Sequence, residues 1–242
     1  MTDWFKVWFD TDYYHLLYNY RDEKEAEQFI SRLCQTIQIP STAHIIDLAC
    51  GRGRHARILA RYYGLVTGLD ISSSSIEFAI SQQTPGTQYY VQDMRKSYGY
   101  HVCEAVFNLF TSFGYFDTLE EHELTLYHVY NALKPGGIFV FDFLNPVPVR
   151  SGITPSEHLT IEGIRFDISR YIEDQKVIKE IVVHDRGRIH TFFERVQLFD
   201  ATLLQKLFRK VGFRISSLFG DIQLSKFEEN SSPRIILIAK KP

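Results

Sequence analysis

Apolar and polar positions repeat along the chain with two periods, and these periods predict the order of helices and strands. From Tyr14 to Ile39 apolar residues recur at helical spacing, and Pro40 ends the pattern, which predicts an N-terminal helix. Short apolar runs then alternate with helical segments, which predicts parallel strands covered by helices on both faces. The predicted strands are His44–Leu48, Val66–Leu69, Gln88–Val91, Ala105–Leu109 and Ile138–Phe143, with helices over 53–62, 72–81 and 119–133.

The alternation changes after Asn145. Up to about Phe199 the apolar residues follow a period of two with intervening turn signals, which predicts roughly two to four antiparallel strands. A helical pattern then returns over 200–210 and ends at Gly212. Two further apolar runs, 214–219 and 234–239, are predicted to be the last strands.

Together these elements predict an α/β fold with a doubly wound, mostly parallel, seven-stranded sheet and helices on both faces. Residues 1–145 and 200–242 are expected to form a Rossmann-like domain with an N-terminal helical lid. Residues 146–199 are expected to form an inserted antiparallel β cap. Because it lies on the side where open α/β sheets bind ligands, we expect this cap to cover the acceptor. The alternative is a surface that forms a homodimer, or simple decoration.

Composition excludes several function classes. The 27 Lys and Arg residues nearly balance the 29 Asp and Glu residues, so there is no overall positive charge to hold a nucleic acid. No apolar run is long enough to cross a bilayer, and no secretory signal is recognised, which predicts a cytoplasmic protein without a membrane partner. Cys34, Cys50 and Cys103 lie far apart and the histidines lack ligand spacing, so no metal site is predicted.

The most informative segment is the one that leads from the first strand into a glycine turn and a helix. Gly51 and Gly53 permit positive φ and let backbone N–H groups approach a ligand, while the following helix N-terminus favours an anionic group. Asp70 ends the second strand, nineteen residues after Gly51, where a carboxylate can accept hydrogen bonds from ribose hydroxyls. The alternative for Asp70 is a helix N-cap. A nucleoside ligand is implied.

This loop alone does not distinguish between two cofactors. Residues 51–56 also satisfy the dinucleotide pattern G-x-G-x-x-G/A, which leaves NAD open. Further features favour another nucleoside. Asp47 precedes the glycines, and Asp93 with Met94 follows the third strand, offering a carboxylate to the adenine amine and an apolar side chain to its face.

With these motifs in order, the sequence resembles the class I S-adenosylmethionine-dependent methyltransferases, especially the small-molecule branch with a late strand insertion. The family's acid-x-Gly-x-Gly-x-Gly motif falls on 47–53, where Ala49 replaces the first glycine, a change that a position with negative φ would tolerate. The resemblance implies that S-adenosylmethionine is the cofactor. The implied cofactor-binding residues are Arg21, Asp47, Ala49, Gly51, Gly53, Asp70, Ile71, Asp93, Met94, Asn108 and Leu109.

The resemblance also implies the reaction, which is transfer of a methyl group to a nitrogen or oxygen of a small-molecule acceptor by in-line displacement. Such a reaction requires alignment rather than a fixed catalytic motif, so no catalytic residue is assigned. Arg21 is implied to pair with the donor carboxylate, unless it pairs with a neighbouring acid. The candidate acceptor contacts are Tyr14, Tyr18, Phe113 and Arg234, and packing is the alternative for the aromatic ones.

Two other functions stay open at this point. An NAD(P)-dependent oxidoreductase would normally carry a Tyr-x-x-x-Lys pair after the cofactor loop. The spacing from Tyr20 to Lys24 precedes the loop, whereas the spacing from Tyr130 to Lys134 follows it and ends in the turn before the fifth strand. A noncatalytic protein that binds S-adenosylmethionine would retain the same fold and the same loop. Sequence does not separate that protein from an enzyme, because alignment leaves no obligatory residue.

Overall fold

A computed structural model of the chain describes residues 3–19 and 23–242 and contains two sheets. The strands, in chain order, are β1 (His44–Leu48), β2 (Leu65–Asp70), β3 (Thr87–Val91), β4 (Cys103–Asn108), β5 (Leu133–Leu144), β6 (Ser156–Ile161), β7 (Ile164–Glu173), β8 (Lys176–Asp185), β9 (Arg188–Gln197), β10 (Arg214–Phe219) and β11 (Arg234–Lys240). The helices are α1 (Trp4–Trp8), α2 (Asp12–Leu17), α3 (Glu23–Thr36), α4 (Arg54–Leu59), α5 (Ser73–Ser81), α6 (Leu119–Ala132), α7 (Pro146–Gly152) and α8 (Ala201–Val211).

The larger sheet has seven strands in the order β3-β2-β1-β4-β5-β11-β10. The strands from β1 to β5 pair in parallel, and β11 is antiparallel to both of its neighbours. Because the order reverses between β1 and β4, the loops that follow these two strands separate and leave a crevice at the carboxyl edge. The predicted fold class is confirmed.

Helices cover both faces of this sheet, as the strongly apolar strands require. In β5, Val140 packs with α3, α4 and α5 on one face, whereas Phe139 and Phe141 pack with α6 and α8 on the other. Both packed clusters are built from fully buried side chains, including Phe29 of α3 and Phe208 of α8. The sheet therefore holds its carboxyl edge rigidly between two cores.

The smaller sheet is antiparallel, with the order β6-β7-β8-β9, and it comes from the segment predicted to contain roughly two to four strands. Phe166 and Ile181, in β7 and β8, face a cluster that also contains Trp8 and Leu17 of the first two helices. Trp8 Nε1 donates a hydrogen bond to the Glu194 carboxylate of β9 over 2.8 Å. This sheet thus supports α1 and α2, which we call the lid.

The N-terminal region differs from the single helix predicted over 14–39. The lid helix α2 ends at Leu17, where Tyr18 leaves helical geometry with φ −107°, and α3 is described from Glu23. Leu17 of α2 is buried against the smaller sheet, whereas α3 packs on the larger sheet, so an apolar spacing by itself did not reveal that two helices are present. Two described helices, α1 and α7, lie outside the predicted ones, and α7 begins at an Asn145 cap whose side chain accepts the Val147 N–H. Among the described helices, none is long and apolar enough for a membrane crossing.

The packing of the smaller sheet on the lid predicts a stability difference between two isoleucines. Ile181 is fully buried against the lid, whereas Ile189 on the adjacent strand is 67% exposed. We expect Ile181→Ala to lower the free energy of unfolding by about 2–4 kcal/mol, because it leaves a cavity. Ile189→Ala, the matched control, should stay within about 0.5 kcal/mol of the wild type. Urea unfolding measures both, and equal losses would contradict this assignment of the two faces.

Candidate cofactor and acceptor site

The loop that follows β1 is left-handed at three positions. Gly51 and Gly53 have φ values of 52° and 76°, and Ala49 has φ 60°. The condition of a negative φ at Ala49, under which an alanine would be tolerated without strain, is therefore not met. The chain reverses immediately after the strand, so the first position of the motif shares the left-handed geometry, at a cost of about 1 kcal/mol for a residue with a Cβ.

The two glycines serve different purposes. A Cβ at Gly53 would lie 2.7 Å from the Tyr89 ring, so a side chain there would collide with the core beneath α4. A Cβ at Gly51 would meet nothing within 4 Å, because this residue faces a cavity. The loop thus leaves open the space that the carboxyl end of a ligand would need.

Asp70 fastens this loop to the end of β2. Its Oδ2 accepts the Gly51 N–H over 2.8 Å, and its Oδ1 accepts the Ser72 N–H over 2.9 Å. The N-cap of α5 is Ser72, whose hydroxyl accepts the Ser75 N–H, so Asp70 is not the helix cap. Each Asp70 oxygen has a second acceptor site, and the residue lines the cavity.

Asp47, at the end of β1, is buried beneath the loop. Its Oδ2 accepts no hydrogen bond from any residue within 3–19 or 23–242. Burial, and secondarily the charge of Asp70, raises the pKa of the Asp47 carboxyl from 3.8 to about 7. A buried carboxylate oxygen without a donor fits a cationic or N–H-bearing ligand beside the loop, which the amino-acid portion of S-adenosylmethionine would supply.

The cavity has a volume of about 580 Å³ and opens at the carboxyl edge between β1 and β4. Nine residues predicted to contact cofactor or acceptor line it: Tyr14, Tyr18, Ala49, Gly51, Asp70, Ile71, Asp93, Met94 and Leu109. No described residue of 146–199 lines it. The smaller sheet therefore borders the cavity indirectly, through the lid, whose Phe5 and Phe9 line the cavity, and through the segment after β4, where the Gln197 N–H donates to the Gly114 carbonyl.

Other predicted site residues lie behind the cavity surface. Asn108 is buried, and its side-chain N–H group donates to the Leu48 carbonyl over 2.9 Å, which ties β4 to β1. Phe113 is also buried, with its ring 5.2 Å from that of Phe141 and 4.9 Å from that of His122. Asp47 and Gly53 lie beneath the loop, and Arg21 lies outside the described residues.

Arg234, predicted as an acceptor contact, instead supports the turn after β4. It pairs with the buried Asp142 carboxylate and donates to the Thr111 hydroxyl over 2.9 Å. Asp142 in turn accepts the Phe110 N–H over 2.8 Å. Phe110 and Thr111 both have φ near 60°, so this buried ion pair holds two strained residues next to Leu109.

Sequence reasoning missed Arg95 and most of the aromatic lining. Arg95 forms an ion pair with Asp93 over 2.7 Å, so the carboxylate predicted to face adenine already has one partner. Burial alone would raise the pKa of Asp93, but the hydrogen bonds from Arg95 outweigh burial and lower it. The signal for Arg95 was its place two residues after Asp93, at the end of the same strand. The lining rings outside the prediction are Phe5, Phe9, Phe78, Phe110, Tyr115 and Phe116.

Comparison with known proteins relates the glycine loop and the carboxyl edge of the larger sheet to a protein family. The methyltransferase domain family matches residues 46–141, the part of the chain that runs from β1 to β5. Residues 46–141 are thus a methyltransferase domain. In fold, the chain is similar to an S-adenosylmethionine-dependent methyltransferase of Clostridium acetobutylicum, with 18% identity, a TM-score of 0.80 and coverage of 95% of this chain and 96% of that one.

Two curated relatives of the methyltransferase domain are named for sugar substrates. A dTDP-3-amino-3,4,6-trideoxy-alpha-D-glucopyranose N,N-dimethyltransferase of Streptomyces venezuelae is 29% identical over 103 residues, or 43% of each protein. A dTDP-3-amino-3,6-dideoxy-alpha-D-glucopyranose N,N-dimethyltransferase of Streptomyces fradiae is 26% identical over 190 residues, or 75% of this chain and 74% of that one. The first match spans less than half the length of that relative. These matches favour a methyltransferase over the dinucleotide-binding alternative.

The buried Asp47 carboxyl of the methyltransferase domain predicts a pH-dependent stability. Because its pKa is raised from 3.8 to about 7, the folded protein holds a proton that the unfolded chain releases. Its contribution to stability therefore falls as pH rises from about 4 to about 7 and is level above that. We expect Asp47→Asn to remove this slope, measured as urea midpoints of both proteins at pH 5 and pH 8.

The matched control for this experiment is Asp174→Asn, in the exposed turn between β7 and β8. Asp174 has φ 46°, a conformation that asparagine tolerates, so this variant should keep the wild-type slope. Parallel pH profiles for the wild type and Asp47→Asn would refute the raised pKa.

Proposed function

We propose that this protein is an S-adenosylmethionine-dependent methyltransferase that methylates the amino nitrogen of a small molecule. The observation that carries the proposal is a single cavity with two kinds of lining. The glycine loop and the carboxylates of Asp70 and Asp93 line one part, and aromatic side chains of the lid and of the segment after β4 line another. One ligand with a nucleoside and a cationic group, next to a second cationic ligand, would satisfy both parts.

The donor part of the cavity contains groups suited to each portion of S-adenosylmethionine. Backbone groups around Gly51 would meet the amino-acid tail, and the open acceptor sites of Asp70 would bind the ribose hydroxyls. Met94 and Ile71 provide apolar surfaces next to Asp93 for the adenine ring. A cationic ligand beside the loop would in turn favour the ionised form of the buried Asp47 carboxyl, whose pKa is raised to about 7.

The aromatic part of the cavity favours a cationic acceptor. The Phe9 ring lies 4.9 Å from Tyr14 and 5.4 Å from Tyr115, and all three residues line the cavity. Ring faces attract ammonium groups by cation–π interaction, at about 0.5–2 kcal/mol for each well-placed ring. This favours nitrogen over oxygen as the methylated atom.

The curated relatives support an amino sugar as the acceptor class. Both of the sugar N,N-dimethyltransferases described above act, by name, on amino groups of deoxyhexoses carried by dTDP. An amino sugar offers the primary or secondary amine that the aromatic lining favours. The proposed acceptor is therefore an amino sugar.

The chemistry requires alignment more than acid–base groups. When bound, S-adenosylmethionine supplies a methyl group on a positively charged sulfur. The acceptor ammonium group first loses a proton to solvent, and the freed nitrogen lone pair then forms the new C–N bond as the sulfur leaves with the electron pair of the C–S bond. The residues of this chain align the nitrogen with the methyl carbon and exclude water. The Asp142–Arg234 pair contributes by fixing the turn at Leu109, which lines the cavity near the glycine loop.

Calorimetric titration tests the donor directly. We expect S-adenosylhomocysteine to bind and NADH not to bind. Asp70→Asn should weaken S-adenosylhomocysteine binding about tenfold or more, since it removes a charged acceptor from the ribose and loosens the loop. Asp174→Asn should bind as the wild type does. NADH binding with no response to S-adenosylhomocysteine would refute the proposal.

Steady-state kinetics test the acceptor. Phe9→Leu keeps an apolar side chain but removes one ring face from the cavity. With a dTDP-linked amino sugar as acceptor, we expect its KM to rise about three- to thirtyfold while the affinity for the donor is unchanged. Tyr127→Leu, at an exposed position of α6, is the control and should change neither value. An unchanged acceptor KM in Phe9→Leu would contradict the cationic-acceptor proposal.

A further inference from the structure

Arg95 lies at the meeting point of three carboxylates from separate parts of the chain. Its guanidinium group forms ion pairs with Asp93 over 2.7 Å, with Asp3 over 2.8 Å and with Glu121 over 2.7 Å. The Arg95 side chain is only 16% exposed. Such partly buried, charge-assisted contacts are stronger than ion pairs in open solvent.

The three carboxylates belong to elements with different tasks. Asp93 lines the donor part of the cavity. Asp3 directly precedes α1, the first helix of the lid. Glu121 lies in the first turn of α6, where it forms a capping box with Thr118 and so is fixed to the main domain. Arg95 therefore connects a donor-side group, the lid and a rigid helix through one side chain.

Arg95 also contacts two aromatic rings of the cavity. The guanidinium carbon lies 5.4 Å from the centre of the Phe5 ring and 4.9 Å from that of Phe116. Both rings line the cavity. Phe5 belongs to α1, so Arg95 contacts the lid through a ring as well as through a carboxylate.

We infer that Arg95 is a positioning residue that ties the lid to the donor-side carboxylate Asp93, so that an ordered lid and a bound donor stabilise each other. This inference rests on the proposed function only for the identity of the donor. The physical reason is that a single guanidinium group offsets three negative charges. If Arg95 moves, Asp93 loses its orientation and Asp3 no longer holds α1.

The geometry of these three ion pairs also explains why position 95 requires an arginine. The planar guanidinium group donates to Asp93 through Nε and Nη2, to Asp3 through Nη2 and to Glu121 through Nη1. A lysine would bring one ammonium group, which cannot present this fork to three carboxylates at once. Hydrogen bonding to Arg95, the largest effect on Asp3, lowers the pKa of its carboxyl, which keeps it ionised at neutral pH.

The experiment compares variants that each remove one charge from this cluster. Asp3→Asn weakens the link to the lid, and Glu121→Gln, the matched control, removes a charge from α6 while retaining a residue suited to the capping box. Lys6→Gln is a second control, because Lys6 also pairs with Asp3. Arg95→Lys tests the fork itself.

Two measurements are made on the full chain. Hydrogen–deuterium exchange of ligand-free protein reports on residues 3–19. We expect about tenfold faster exchange there in Asp3→Asn and Arg95→Lys, and wild-type exchange in Glu121→Gln and Lys6→Gln. Stopped-flow dissociation of S-adenosylhomocysteine should be about tenfold faster in the first two variants and unchanged in the controls.

The outcomes separate this inference from the proposed function. Wild-type exchange in Asp3→Asn and Arg95→Lys, or equal effects of Asp3→Asn and Glu121→Gln, would overturn the tie between Arg95 and the lid. Faster exchange with unchanged dissociation would overturn the coupling to the donor. If the wild type does not bind S-adenosylhomocysteine, the proposed donor and its coupling to the lid are both refuted. The hydrogen–deuterium exchange measurement would still show whether Arg95 holds the lid.

Discussion

The hydrogen bond from the Gly51 N–H to the Asp70 carboxylate is the contact on which the site depends. It joins the ends of β1 and β2, which the parallel sheet already places side by side, and it holds the left-handed loop open. Together with the hydrogen bonds from the Cys50 N–H to the Leu69 carbonyl and from the Gly53 N–H to the Cys50 carbonyl, it holds the loop in which Ala49 has φ 60°. The same carboxylate faces the cavity, so the residue that shapes the loop is also placed to meet the ligand.

Other charged residues near the carboxyl edge of the sheet also fix the conformation of neighbouring segments. Asp142 is a buried residue of β5, yet it sets the conformation of the turn after β4 through Phe110 and is balanced by Arg234 of β11. Arg95 likewise holds the Asp93 carboxylate through an ion pair. The Asp142–Arg234 pair thus lies behind the cavity surface, where burial strengthens it and where it fixes backbone, whereas Asp93 of the Arg95 pair lines the cavity itself.

The sequence was sufficient for elements whose signal is local. The apolar runs predicted β1 to β5, and the spacing between Gly51 and Asp70 predicted two groups that the structure brings into contact. It was insufficient where a residue's partner lies far along the chain. Arg234 was predicted to contact an acceptor, since hydrophobic periodicity does not reveal that its partner is Asp142, 92 residues away. The φ of Ala49 depends on a turn that local sequence preferences do not predict.

The position of the smaller sheet implies an order of assembly. Trp8 and Glu194 are 186 residues apart, so the first helix emerges from the ribosome long before the strand that holds it. The donor loop and the strands around it need only the first part of the chain. The contacts of the lid with β9 therefore form later than its contacts with Arg95 and Tyr115, which lie in the first half of the chain.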